Sequence, residues 1–281
     1  MAPKTVETTE VVLRDGSKAL VPQQFAMSYP GFAPDEETLE LLAENLGDDG
    51  AMIGVRNFPR VKVPGGEVSS WMIKQGGKEV AQKRLRGVMV GWSARRSLWT
   101  NGEPDGSPPD CASIDNKRPL PGGLYAPDGE RGDQNPSGMC ANCPMAQFGS
   151  DPKGHRGAAC KEQRLVYVII EGALFPLILH IPRTSIASLS EFMIGLLNMQ
   201  KRYYQVVIDF FLEKAKNKDG QEYNQVVLEV VEDLGDAEMA AVKVYVEQVK
   251  GLIWEFNASF TRESVADSGE NGYSMGEPVP A

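Results

Sequence analysis

The spacing of hydrophobic positions divides the second half of the chain into strands and helices. The run 84–99 is apolar and β-branched at its centre and carries glycines at 87 and 91, which is typical of a long strand that bends. Four more runs of strand character follow, at 164–170, 174–181, 205–212 and 223–231. An Asp-Gly pair at 219–220 favours a hairpin between the last two. The pattern therefore predicts five strands.

Helical spacing appears twice in this half. Between the third and fourth predicted strands, Ser185 or Ser188 can cap a helix. Its one-sided apolar stripe, which predicts a helix that plugs a core, consists of Leu189, Phe192, Met193, Leu196 and Leu197. A second helix begins at Asp236 and continues to about Phe256. Its apolar side consists of Val242, Tyr245, Val246, Val249, Ile253 and Phe256.

The N-terminal part is less regular. Residues 1–33 show no sustained period and predict an irregular arm, whereas 34–47 combines an acidic first turn with apolar residues at helical spacing and predicts a short helix. Short strand runs between 51 and 83 are separated by Pro64-Gly65-Gly66 and Gly76-Gly77, which predicts hairpins. We expect an acidic arm with a short helix at 1–50, one domain at 51–258 and a flexible tail at 259–281.

Five strands with one helix between the third and the fourth is the element order of an OB-fold, a Greek-key barrel that binds oligonucleotides. The predicted fold class is therefore mainly β with α (α+β), built on an OB-like five-stranded barrel. A zinc-ribbon-like insertion at 100–163 separates the first two strands. This loop is rich in Gly, Pro, Asp and Asn and has no helical period. It lacks the apolar residues that would order it without a ligand.

All four cysteines of the chain lie in this loop, as Cys111, Cys140, Cys143 and Cys160. The two residues between Cys140 and Cys143 allow both sulfur atoms of one turn to reach a single ion, and the other two complete a tetrahedral shell. We predict a structural zinc ion, which would order the loop. Four alternatives stay open: three thiolates with His155, an iron–sulfur cluster, disulfides, and thiols without a ligand.

The compartment bears on these alternatives, because disulfides would suit a secreted chain. The N-terminal sequence Met-Ala-Pro-Lys-Thr-Val-Glu has no apolar core of a signal peptide. The most apolar stretch, 165–181, is interrupted by Glu171, Gly172 and Pro176 and is too short to cross a bilayer. We expect a cytoplasmic protein without a membrane partner.

The formal net charge of −9 hides an uneven distribution. Residues 56–96 carry 10 basic and 2 acidic side chains, and three of the four tryptophans lie in or beside this segment. Cations next to exposed aromatic rings are typical of surfaces that bind single-stranded nucleic acid. Tryptophans in strands are also common core residues, so both interpretations stay open for each ring. The candidate nucleic-acid-binding residues are Arg60, Lys62, Trp71, Arg84, Arg86, Trp92, Arg95, Arg96, Trp99, Lys161 and Arg164.

Several short runs resemble those of a family of bacteriophage and prophage proteins that are thought to bind single-stranded DNA or to take part in replication. The runs are Arg60-Val-Lys-Val-Pro-Gly-Gly66, Gly87 to Trp99, Pro109-Asp-Cys-Ala-Ser113, Cys140-Ala-Asn-Cys-Pro144, Phe148-Gly-Ser150, Ala159-Cys-Lys-Glu162 and Pro182-Arg-Thr-Ser185. The resemblance implies that the four cysteines are metal ligands and that the protein acts in the host cytoplasm. The architecture is also similar to the zinc-ribbon OB domain of replication protein A.

An enzyme is the less favoured class. The chain has only two histidines, His155 in the cysteine loop and His180 in a predicted strand, and this placement does not favour a Ser/His/Asp relay or a two-histidine metal centre. We therefore predict a single-stranded-DNA-binding protein without catalytic residues, and a nuclease only as a remote alternative. A protein-binding regulator with a structural zinc, either a transcription modulator or an inhibitor of host defence, is the main alternative. In the single-stranded-DNA-binding prediction, the acidic termini would recruit replication proteins, compete with DNA, or only raise solubility.

Overall fold

The computed structural model describes residues 8–12, 18–22, 44–45, 55, 58–75, 77–101, 108–154, 157–170, 175–217 and 220–258. Eleven strands lie in these residues: β1 Thr8–Val12, β2 Lys18–Pro22, β3 Arg60–Lys62, β4 Trp71–Gln75, β5 Lys78–Gln82, β6 Arg84–Leu98, β7 Cys111–Ser113, β8 Lys161–Ile170, β9 Leu177–Pro182, β10 Val206–Lys216 and β11 Glu222–Asp233. The two long helices are α1 Arg183–Asn198 and α2 Asp236–Ala258. Of the predicted helix at 34–47 only Glu44 and Asn45 are described, and both are helical. The predicted tail at 259–281 lies outside the described residues.

The main sheet has the strand order β11-β10-β6-β8-β9-β3, with β7 also paired to β6. The protein is therefore a mixed α+β fold made mostly of sheet, as the sequence predicted. The five predicted strands and the helix between the third and the fourth are all present in the predicted order. A closed barrel would require the outer strands of the sheet to pair. In the described residues the sheet instead ends at β11 and at β3 and forms a curled half-barrel.

The N-terminal strands differ from the sequence prediction in two places. Strand β3 was expected to form a hairpin across Pro64-Gly65-Gly66, but it pairs in parallel with β9, with Val61 opposite Leu179. The arm predicted to be irregular contains the antiparallel hairpin of β1 and β2. The predicted hairpin at Gly76-Gly77 is confirmed, because β4 and β5 pair with Gln75 opposite Lys78. Pairing partners distant in sequence leave no local signal, and this explains the error at β3.

The chain forms two compact units. The first comprises Met1–Gly91, Val166–His180 and Ala187–Phe256, and the second comprises Trp92–Leu165, Ile181–Ile186 and Asn257–Ala281. In the first unit, α2 buries the apolar side that the sequence predicted, with Val242, Tyr245, Val246, Val249 and Ile253 all in the core. The antiparallel pair β10 and β11 belongs to the same unit. The second unit contains all four cysteines.

Helix α1 has a narrower buried stripe than its sequence predicted. It begins at Arg183, before the predicted capping serines. Leu189 and Leu196 are buried, but Leu197 is 71% exposed. Residues seven apart point in nearly the same direction on a helix, whereas Leu197 is rotated by about 100° from Leu196. The prediction that Leu197 belongs to the core was therefore wrong.

Candidate metal centre and nucleic-acid interface

The backbone of the second unit brings the four cysteines together from three chain segments. Cys111 begins β7 and is the pairing partner of Leu98 at the end of β6. Cys140 and Cys143 lie at the two ends of a single turn, in which the Cys143 N–H donates a hydrogen bond of 3.3 Å to the Cys140 carbonyl. The Cys160 N–H donates to the carbonyl of Met145 at 2.8 Å, directly after that turn. All four cysteines are buried.

The four cysteines line one cavity of about 20 Å³. A space of this size holds about one water-sized occupant. Around it lies a small apolar cluster that consists of Leu98, Cys111, Tyr125, Cys143, Ala159 and Cys160. The loop therefore has a small apolar cluster that the sequence analysis did not predict. The cysteines are themselves core residues, because a thiol packs as a small hydrophobic group.

The positions of the cysteines bear on the ligand alternatives that the sequence left open. All four cysteines are thiols and not disulfides. As the side chains are placed, no group of three or more His, Cys, Asp or Glu in the described residues is arranged to hold a metal ion. His155 lies outside the described residues. The donor chemistry nevertheless fits zinc, since four cysteines around a one-occupant space are the ligand set of a structural zinc site.

The protonation of these thiols follows from their burial. Burial raises the pKa of Cys160 to about 12, and the nearby Arg96 cation opposes this rise. Burial likewise raises the pKa of Cys140, and a hydrogen bond from Ser113 together with the charge of Arg96 lowers it in part. Both thiols therefore keep their protons at neutral pH when no metal ion is bound. A metal ion at this place would displace those protons when it binds.

A cluster of arginines on one carboxylate lies in the same unit. Glu162 accepts hydrogen bonds from Arg96 Nη2 at 3.1 Å, from Arg183 Nη1 at 2.8 Å and from Asn116 Nδ2 at 2.8 Å. Arg164 Nη2 forms an ion pair with the same carboxylate at 2.9 Å. Three guanidinium groups thus share one anion, and this cluster has an excess of positive charge.

Four of the eleven predicted nucleic-acid-binding residues are buried instead of exposed. Trp71 is 0% and Trp99 9% exposed, so neither ring presents a face on which a base stacks. Arg95 and Arg96 are 2% and 8% exposed. For these four residues the prediction of an exposed binding side chain was wrong. Residues 95–98 at the end of β6 are all buried, so both faces of the strand are covered there and strand alternation does not tell which side chains reach solvent.

In the first unit, Arg84 and Arg86 are exposed but are held by an acidic partner. Arg86 makes a two-pronged contact with Asp209, with Nε to Oδ1 at 2.8 Å and Nη2 to Oδ2 at 3.0 Å. Arg84 Nη1 lies 3.3 Å from Asp209 and 3.1 Å from Glu229, and its guanidinium covers the ring of Phe211. The hydrogen bonds and the charge of Arg86 hold the pKa of Asp209 below its usual value.

The other predicted cations are partly accessible. Arg60 and Lys62 are half-buried on β3 in the first unit. Lys161 is exposed in the second unit and forms an ion pair of 2.9 Å with Asp151. Arg164 is half-buried. The structure therefore brings Lys161 and Arg164 into the unit that contains the cysteines and leaves Arg60 and Lys62 in the other unit.

Among the described residues of the second unit, two aromatic rings reach solvent. Trp92 on β6 is 48% exposed, as the binding prediction requires. Phe148, in the cysteine loop, is 73% exposed and was missing from the predicted site, as was Arg183. Both missed residues lie in runs of the phage-family resemblance, Phe148-Gly-Ser150 and Pro182-Arg-Thr-Ser185, which was the available signal.

Comparison with known proteins adds no assignment: no family model, no curated protein and no solved structure matches the chain. Among the described residues, the helices are too short or too polar for any of them to span a bilayer.

Proposed function

We propose that the protein binds single-stranded DNA without sequence specificity, as a phage-type replication or recombination protein. The fold would be an OB-like barrel whose cysteine loop holds a structural zinc ion. This proposal agrees with the resemblance to phage single-strand-binding proteins and with the strand order. The role is one of binding and not of catalysis.

The observation that carries the proposal is the combination of exposed rings and surplus cations in the second unit. Trp92 and Phe148 offer aromatic faces on which bases stack. The cluster on Glu162 has three guanidinium groups for one carboxylate. Arg183 has a side chain that is 52% exposed, so its guanidinium group can contact a phosphate while it stays paired with Glu162. Stacking and phosphate neutralisation are the two contributions that single-strand binding needs.

Zinc would have a structural role in this proposal. Cys111, Cys140, Cys143 and Cys160 would hold the ion, because they line one cavity with room for one occupant. When bound, the ion supplies a crosslink between β7, the Cys140–Cys143 turn and the start of β8. The sulfur atoms would have to turn toward a common point, since their present placement is not a ligand geometry. An iron–sulfur cluster is the alternative occupant, and the colour of the purified protein distinguishes the two.

The test is fluorescence anisotropy of labelled oligo-dT with the full chain at several salt concentrations. We expect binding in dilute buffer and a linear fall of log K with log salt, with a slope of about −0.7 for each neutralised phosphate. Duplex DNA of the same length is the control and should bind more weakly, because its bases are not free to stack. Absence of oligo-dT binding at low salt would overturn the proposal.

One observation favours a second candidate, a protein-binding regulator with a structural zinc. Helix α1 and the residue that follows it expose Ile194, Leu197 and Met199 at 57%, 71% and 48%. Apolar side chains grouped at the end of a helix are typical of a docking face. Replacement of Leu197 by Ser should leave oligo-dT binding unchanged if the first proposal is correct.

A further inference from the structure

Arg96 has one nitrogen whose role the fold does not explain. The residue is 8% exposed on β6. Its Nε donates to Asn116 Oδ1, and its Nη2 donates to Glu162 at 3.1 Å. Its Nη1 is buried and has no hydrogen-bond partner. A buried donor without an acceptor costs about 1–3 kcal/mol, and more when the group is charged, so such a group is usually kept for a ligand or a function.

The partnerless nitrogen belongs to a side chain that lines the cysteine cavity. Arg96 lies on the wall of this cavity together with Cys140 and Cys160. Strand pairing fixes its position, because Arg96 is the partner of Ser113 in the β6 and β7 pair.

A zinc ion held by four thiolates needs such a cation. Four thiolates around one divalent ion leave about two negative charges in a space that excludes water. Buried negative charge is stable only when it is paired or hydrogen-bonded. A donor that contacts the ligand sulfurs from outside the metal shell both orients them and reduces their charge. Of the three arginines on Glu162, only Arg96 is among the residues that line the cavity.

We propose that Arg96 is a positioning residue of the zinc centre, and that its Nη1–H group donates a hydrogen bond to the thiolates of Cys140 and Cys160. Glu162 and Asn116 hold the other guanidinium nitrogens and aim Nη1 at the cavity. This inference rests on the zinc ion of the proposed function. It assigns Arg96 to the metal and not to DNA, although it lies in the basic segment of the sequence.

The test is the zinc affinity of the full-length Arg96→Gln variant, measured by competition with a chromophoric chelator at fixed pH and salt. We expect an affinity 10- to 100-fold below that of the unchanged chain, the usual effect of removing a group that supports metal ligands. Arg183→Gln is the matched control, because it also removes an arginine from Glu162 but does not touch the cavity. The zinc affinity of Arg183→Gln should lie within about 2-fold of that of the unchanged chain. This value shows how much the loss of one arginine from Glu162 changes the affinity by itself.

A second readout uses cobalt in place of zinc. The sulfur-to-cobalt charge-transfer band reports on the thiolates directly, and it should shift in Arg96→Gln and stay unchanged in Arg183→Gln. If the Arg96→Gln variant does not fold, the Arg96→Lys variant tests the role of Arg96 at the metal instead. Lysine keeps the positive charge, but its single nitrogen cannot donate hydrogen bonds to Glu162, Asn116 and the thiolates at the same time. We therefore expect Arg96→Lys to fold and to bind zinc several-fold more weakly than the unchanged chain.

Three results would overturn the inference, and they lead to two different conclusions. If the unchanged chain binds zinc and Arg96→Gln binds it equally well, Arg96 has no role at the metal while the zinc proposal stands. A folded Arg96→Lys variant with unchanged affinity leads to the same conclusion. If the unchanged chain binds neither zinc nor cobalt, the zinc centre itself is wrong.

Discussion

The indole Nε1 of Trp71 donates a hydrogen bond of 2.9 Å to the backbone carbonyl oxygen of Phe210. The tryptophan is completely buried, so it anchors β4 on β10 in the first unit. Trp92, eight residues after the start of β6, is 48% exposed. A buried ring with a satisfied N–H contributes to stability, whereas an exposed ring is available for stacking. These two tryptophans from one basic segment should therefore respond differently to substitution.

Replacement of Trp71 by Ala should lower the free energy of unfolding by about 3–5 kcal/mol, the usual cost of removing a large buried ring. Urea unfolding followed by circular dichroism measures this loss. Trp71→Phe, which keeps most of the ring volume and loses the hydrogen bond, should cost less. The oligo-dT affinity of the folded fraction should not change. A fall in affinity with unchanged stability would instead assign Trp71 to the DNA surface.

Replacement of Trp92 by Ala should weaken oligo-dT binding by about 1–3 kcal/mol, which corresponds to a roughly 5- to 150-fold rise in Kd, because one stacking partner is lost. The free energy of unfolding should change by less than about 0.5 kcal/mol. Anisotropy titration and urea unfolding are the two measurements. Val68→Ala is the matched control, since Val68 is also 48% exposed. Equal Kd values for the two variants would show that Trp92 is not part of the oligo-dT-binding site.

In the proposed zinc site Cys140 is a metal ligand, so its replacement by Ser should remove most of the bound zinc and open the cysteine loop to protease. Elemental analysis and limited proteolysis measure the two effects. The unchanged chain treated with a strong chelator should give the same cleavage pattern, which serves as the control. A metal-free chain whose loop resists protease would show that the apolar cluster alone orders the loop.

Replacement of Asp209 by Asn should lower the free energy of unfolding by about 1 kcal/mol at neutral pH, since Asp209 is nearly buried and accepts charged hydrogen bonds. Arg86 holds the folded pKa of Asp209 below the usual value of 3.8. This contribution to stability is therefore complete above pH 3.8 and is lost as the pH falls through the lower, folded pKa.

Urea unfolding at a series of pH values tests this dependence. The difference in the free energy of unfolding between the unchanged chain and Asp209→Asn should stay constant from neutral pH down to pH 3.8. Below that pH the difference should decrease. Glu229→Gln is the control, because the carboxylate of Glu229 forms its ion pair with Arg84 and its side chain is 56% exposed. A difference that does not depend on pH would show that Asp209 acts through packing and not through charge.

Two glycines of β6 should differ in their tolerance of a methyl group. A Cβ at Gly87 would overlap the backbone carbonyl oxygen of Ile169, whereas a Cβ at Gly91 would meet side-chain atoms, of which the end of Ile253 is the nearest at 3.2 Å. Backbone moves less readily than a side chain. We expect Gly87→Ala to lower the thermal unfolding temperature clearly, and Gly91→Ala to lower it less. Equal shifts would contradict the close approach at Gly87.

The second half of the chain was predictable because its signals are local. The five predicted strands and the two long helices between 84 and 258 follow from their own periodicity, and the pairing of β10 with β11 was indicated by the Asp-Gly pair between them. The short strand β7 was not predicted. The clustering of Cys111, Cys140, Cys143 and Cys160 was also predicted, since a cysteine pair at close spacing with two distant partners favours one site. The exposure of individual cations and rings was not predictable in this way.

By itself, therefore, the sequence determined the order of the elements, the apolar side of α2 and the segment that contains the thiols. The tertiary structure alone decided that β3 pairs with β9, that Trp71 and Trp99 are core residues, and that Arg96 lines the cysteine cavity. Periodicity records which side chains share a face of one element. What covers that face depends on residues far away in the chain, so burial and charge pairing become defined only when the distant segments have packed.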